Sequence, residues 1–98
     1  MRITQAGGVS ILQRDFILGE KKYIKLKATS CDGSPVVITG AAYELFEGEA
    51  LVEEGSCSVN GDEFMVLLEP PKTGDFVLVI TYEVAPETRK VKVAINVA

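Results

Sequence analysis

The sequence predicts an all-β domain of two packed sheets, and three observations carry that expectation. Apolar residues recur with a period of two along most of the chain. Turn-forming residues interrupt the alternation roughly every eight to twelve positions, and no segment sustains a helical period. The length of 98 residues is one domain, 1–98, with chain enough for a single two-layer core. Residues 1–9 read as a loosely ordered N-terminal arm or an edge strand.

The first candidate strand, Ser10 to Leu18, is interrupted by Gln13, Arg14 and Asp15, as two short edge pieces would be. Gly19 and Glu20 turn the chain into KKYIKLKAT. There Ile24, Leu26 and Ala28 point one way and Lys21, Tyr23, Lys25 and Lys27 the other, the cleanest half-buried strand in the protein. Asp32-Gly33-Ser34-Pro35 is a turn, because Asp-Gly favours positive φ and proline ends pairing. A short apolar VVI, Val36 to Ile38, follows, with Thr39-Gly40 as the next corner. In AAYELFE, Tyr43 and Leu45 share one face, and Ala42, Glu44 and Phe46 the other. Gly48 is a hairpin tip leading to ALVEE and then SCSV. Asn60-Gly61 is the strongest two-residue hairpin signal, and EFMVLLE is the returning strand.

Pro70 and Pro71 cannot donate to a ladder, so they close that strand and send the chain across to the other sheet. Phe76 to Val84 is then apolar on both faces: Phe76, Leu78, Ile80 and Tyr82 on one, Val77, Val79 and Thr81 on the other. Ala85 to Thr88 form the last loop. The final strand alternates Val91, Val93, Ile95 and Val97 against Lys92, Ala94 and Asn96. Seven to eight short antiparallel strands in this length read as an immunoglobulin-like β-sandwich, with a small closed β-barrel as the alternative. The usual antibody markers are missing: there is no Trp, no Cys in the strand from Phe76, and Phe76 stands where a tyrosine corner would. Apolar burial must hold such a sandwich together, at about 25 cal/mol per Å² removed from water.

Composition narrows the function classes. The chain is 47% hydrophobic and 24% charged, an ordinary globular balance, and its net charge of −4 disfavours a nucleic-acid partner. Histidine is absent, which removes the commonest general base, the usual activator of Ser or Cys and the most frequent transition-metal ligand. No enzyme is expected, and no cofactor or metal. Ser30, Ser34, Ser56 and Ser58 lack a base; glutamate pairs exist in number, but the sequence singles none out, and the chain is too small to enclose a deep sugar cleft. Cys31 and Cys57 read as two reduced thiols, although a bridge between them stays open. No stretch reaches the roughly 18 apolar residues of a membrane span, and the N-terminus lacks the apolar core of a secretory signal.

The lysine stripe on KKYIKLKAT reads as the solvated side of a strand paired with EFMVLLE, in a register that sets Lys21 near Glu69 and Lys27 near Glu63, rather than as an anion site. The run Glu44, Glu47, Glu49, Glu53, Glu54 reads as a charged hairpin edge, not a calcium loop. What folding leaves unexplained is the second face of the apolar strands. The candidate interaction surface is therefore Tyr23, Lys25, Met65, Leu67, Val77, Val79 and Thr81.

The order of these pieces resembles the Ig-like domains of tailed-phage and prophage tail and baseplate proteins, most nearly the N-terminal domain of baseplate upper proteins. The pieces are Gly19-Glu20, the strand Tyr23 to Thr29, the Asp32-to-Pro35 turn, the Val36-to-Ala41 corner, Thr73-Gly74-Asp75-Phe76 with Val77 to Tyr82, and the terminal Val91 to Val97. The resemblance implies a structural module without catalysis or cofactor. Its partners would be tail or baseplate subunits or further copies of itself, in a virion or in the cytoplasm of a bacterium carrying the prophage. The alternative is a bacterial surface or exported Ig-like module that binds carbohydrate or protein.

Overall fold

A computed structural model of the chain describes residues 2–3, 12–29 and 36–98. Among these residues the alternation resolves into nine strands: β1 (Arg2–Ile3), β2 (Leu12–Phe16), β3 (Lys22–Thr29), β4 (Gly40–Glu47), β5 (Ala50–Ser56), β6 (Ser58–Asn60), β7 (Glu63–Leu68), β8 (Gly74–Val84) and β9 (Glu87–Val97). They form a four-stranded sheet in the order β1-β3-β7-β6 and a five-stranded sheet in the order β2-β9-β8-β4-β5. The sheets share no ladder, so the architecture is the immunoglobulin-like sandwich and not a closed barrel.

One core fills the space between the sheets. Ile24, Leu26 and Ala28 of β3 and Phe64, Val66 and Leu68 of β7 meet Phe76, Leu78, Ile80 and Tyr82 of β8 and Val93, Ile95 and Val97 of β9. These are the inward sets that the alternation assigns, and no polar or charged residue joins them among the described residues. Phe64 and Tyr82 stack across the gap at 4.8 Å between ring centroids, tying the centres of the two sheets together. The β3–β7 register places Lys27 opposite Glu63 and ends with Lys22 opposite Leu68, in line with the expected pairing. The ion pair that Lys27 makes is nonetheless with Asp62, at 3.5 Å.

Several local readings change. Val36 to Ile38 joins no ladder. It connects β3 in one sheet to β4 in the other, so it cannot stay in a ladder; Ile38 is buried and its N–H donates to the Gly61 carbonyl at 2.9 Å. One ladder is parallel, β2 on β9, with Leu12 opposite Val93 and Phe16 opposite Val97. Parallel neighbours need a long connection, and nearly the whole domain lies between these two strands. The three polar residues in the middle of β2 are tolerated because it is an edge strand. In the β6–β7 hairpin Asn60 pairs with Glu63, so the turn residues are Gly61 and Asp62 rather than Asn60 and Gly61. Gly61 alone takes a positive φ, of 64°, the pattern of a turn with glycine at its first central position. The last loop is shorter than expected, with only Ala85 and Pro86 between Val84 and Glu87. The turn from Asp32 to Pro35, and Cys31 with it, lie outside the described residues.

Candidate interaction surface

The seven candidate residues do not form one surface. Tyr23, Lys25, Met65 and Leu67 lie on the outer face of the four-stranded sheet, where Tyr23 opposes Leu67 and Lys25 opposes Met65. Val77, Val79 and Thr81 lie on the outer face of the five-stranded sheet, on the far side of the core. Sequence alternation says that a side chain points away from the core but not which sheet it stands on, so the seven residues divide between two faces.

On the four-stranded sheet, the exposed Tyr23 (62%) and Leu67 (40%) make one cross-strand apolar pair. Lys25 and Lys27 continue the same row along β3 and are exposed. The apolar area is therefore small and bounded by charged heads on long stems.

The five-stranded face is built differently. β8 is the middle strand, and its outward residues are flanked on both sides by paired neighbours. Val77 lies between Ala94 of β9 and Phe46 of β4, and Phe46 in turn faces Leu51 of β5. Four strands thus contribute to one continuous apolar row: Ala94, Val77, Phe46, Leu51. Sequence reading missed Phe46, Leu51 and Ala94. Periodicity puts Phe46 on the outward face of its strand, and only the strand order, which periodicity does not carry, sets it beside Val77. In the next row Val79 lies between Lys92 and Glu44, and Glu44 faces Glu54. One row further, Thr81 lies between Lys90 and Ala42. The β9 side of this face is basic and the β4–β5 side is acidic. Over β9 and β8 there is a shallow depression of about 280 Å³, lined on its outer side by Gln13, Asp75, Val77, Ala94 and Asn96. The Asn96 amide donates to Asp75 Oδ1 at 2.7 Å and so fixes one wall.

The acidic run lies along the β4–β5 hairpin as expected. Glu47 is held by Lys72 at 3.0 Å, and Glu53 sits beside the phenol of Tyr43. Burial, and then the negative charge of Glu53, pushes the Tyr43 hydroxyl above its usual pKa. No group of three or more acidic, Cys or His side chains converges as metal ligands would, among the described residues. Cys57 carries a free thiol at the single-residue step between β5 and β6, and burial pushes its pKa up to about 11. It is poorly suited to be a nucleophile, since the reactive form is the thiolate.

No protein-family model and no curated protein matches the sequence. Solved structures share its shape. An engineered protein superposes with a TM-score of 0.71 at 11% identity, over 93% of this chain and 19% of that one. Domains 4 and 5 of the S-layer protein SbsC give 0.58 at 17% identity, over 99% and 53% of the two chains. A chimeric titin Z1Z2 gives 0.50 at 13% identity, over 92% and 91%. The chain spans about a fifth of the engineered protein and about half of the S-layer fragment. At such identities the likeness is one of fold, and the fold is that of Ig-like domains. No helix among the described residues is long and apolar enough to cross a membrane.

Proposed function

We propose that this chain is a non-catalytic assembly module that associates with copies of itself or with neighbouring subunits through a sheet face, as the resemblance to tailed-phage and prophage tail and baseplate domains implies. The observation that carries this reading is the continuous row Ala94, Val77, Phe46 and Leu51 on the middle of the five-stranded sheet, which no described element covers. A sheet of this kind folds as well with polar residues on its outer face, so an apolar row there calls for a partner. The lack of histidine and the unreactive state of Cys57 fit a role without chemistry.

Sedimentation velocity from about 10 μM to 1 mM tests the assembly role; reversible growth of the sedimenting species is expected, and an unchanging monomer overturns self-association. The phage context is read from the gene's neighbours. Tail or baseplate genes on both sides are expected, and a setting among metabolic genes contradicts it. The likeness to S-layer domains favours one second reading, a surface or exported module that binds carbohydrate or protein. Tyr23 is its natural aromatic contact, at 62% exposure. Glycan-array binding that is lost in Tyr23→Ala would establish that reading instead.

A further inference from the structure

We propose that the partner on the five-stranded face is a second copy of this chain, docked about a two-fold axis that runs along β8. The inference rests on the assembly reading above and specifies its geometry.

The strands on either side of β8 make the face divisible about that strand. β9 lies on one side and β4 on the other, at equal spacing. When two such faces meet about a two-fold axis parallel to β8, each β9 comes to lie over the partner copy's β4, and rows at the same height stay together. Lys92 then stands over Glu44 of the second copy, and Glu44 over its Lys92, because both residues share the row of Val79. One row along, Phe46 stands over the second copy's Ala94. A large side chain thus meets the smallest one in the row, beside the depression bounded by Gln13, Asp75, Val77 and Asn96. Val77 and Val79 meet their own counterparts on the axis. Lys92 with Glu44 and Phe46 with Ala94 match under this one operation, while Asp75 and Glu83, at the two ends of the outward row of β8, meet their own counterparts at the rim.

A two-fold axis that lies in the plane of the sheet but runs across the strands is rejected by the charges. It sets β9 over β9 and β4 over β4, which brings Lys92 toward Lys92 and Glu44 toward Glu44. The acidic ends of β8 meet under either axis, so the Lys92 and Glu44 rows decide: like charges set face to face across an interface oppose binding, and those rows select the axis along β8. Five strands spaced about 4.8 Å apart, each presenting about eight residues, make a face of roughly 600 Å² in plan. That approaches the approximately 800 Å² that each partner buries in a standard interface, as fits a reversible dimer.

The test is a charge-exchange set followed by sedimentation equilibrium, with thermal unfolding as the check on folding. Glu44→Lys is the informative single variant. It brings the net charge of −4 closer to zero, so general repulsion between copies falls and unspecific association should tighten. The proposed pairing predicts the reverse: dimerisation weakened at least about tenfold, because two lysines now face each other at both symmetric positions. Lys92→Glu should weaken it similarly, and the double variant Glu44→Lys/Lys92→Glu should return to within about threefold of the original affinity. Association that tightens in Glu44→Lys, or a double variant no better than the singles, overturns this geometry. If the unaltered chain dimerises and all three variants match it, the assembly reading stands and this interface is wrong. If the unaltered chain stays monomeric at 1 mM or so, both self-association and this interface are wrong.

Discussion

The two outer faces of this sandwich follow the same two-residue alternation but solve different problems. On the four-stranded sheet the outward residues of β3 are Tyr23, Lys25 and Lys27, and the one apolar cross-strand pair, Tyr23 with Leu67, is closed in by charge. On the five-stranded sheet the outward row of β8 runs Asp75, Val77, Val79, Thr81, Glu83; its three central residues are short and β-branched, and Val77 continues sideways into Phe46, Leu51 and Ala94. Long amphipathic side chains cover their own apolar neighbours and satisfy a face against water. Short branched ones pack flat and leave a surface that only another surface can cover. Exposed apolar area alone does not separate the two faces; its continuity does.

The sharpest contrast lies within β8 itself, between inward and outward neighbours. Leu78 is fully buried and Val79 is half-buried on the outer side. Leu78→Ala should lower the unfolding free energy by about 3 kcal/mol in urea titrations, whereas Val79→Thr should change it by less than about 1 kcal/mol in dilute solution. Comparable losses at both positions would mean that the outer face is part of the fold and not a docking surface.

At the edge of the five-stranded sheet, β5 packs its glycine against a tyrosine of β4. A Cβ added at Gly55 would lie 3.0 Å from Tyr43 Cε1 and 3.2 Å from its hydroxyl oxygen. Gly55→Ala should therefore cost about 1–2 kcal/mol by crowding the ring. In a Tyr43→Leu background that cost should shrink to a few tenths, and a double-mutant cycle reads the coupling. The hairpin glycines give a smaller and more even effect. Gly61 serves the four-stranded sheet with φ 64°, and Gly48 the five-stranded sheet with φ 61°; both have open space where a Cβ would go. Alanine at either should cost about 1 kcal/mol, from backbone strain alone.

Alkaline pH probes the seam between the sheets, and its sign follows from burial. Cys57 is raised from 9.0 to about 11 in the fold, and Tyr43 and Tyr82 are raised as well, chiefly by burial. A thiol whose folded pKa lies above its unfolded one leaves stability unchanged below pH 9; stability is then lost as pH climbs toward 11. Chemical denaturation across that window should show the decline. Cys57→Ala should remove the part that begins near pH 9 and leave the later part due to the tyrosines.

The fold was legible in the sequence wherever a local rule decided the outcome. The two-residue period assigned β3, β7, β8 and β9 to their correct faces, and the prolines at 70 and 71 marked the crossing between sheets. Opposite charges at the ends of KKYIKLKAT and EFMVLLE were enough to set the β3–β7 register. Failures came where lateral order or connection mattered. Val36 to Ile38 has strand-forming residues, but the crossing between sheets takes it out of any ladder. The parallel pairing of β2 depends on where a remote strand ends up. The candidate surface split in two for the same reason, and Phe46, its largest member on the five-stranded face, was recognisable only once β4 was known to flank β8.

One measurement bears most directly on the claim that the five-stranded face, and not the four-stranded one, carries association. Val79→Arg and Leu67→Arg place the same charge at the centre of each outer face, and sedimentation equilibrium can compare both with the unaltered chain. Val79→Arg should be monomeric across the concentration range, while Leu67→Arg should associate as the unaltered chain does. Loss of association in Leu67→Arg together with its persistence in Val79→Arg would contradict the account.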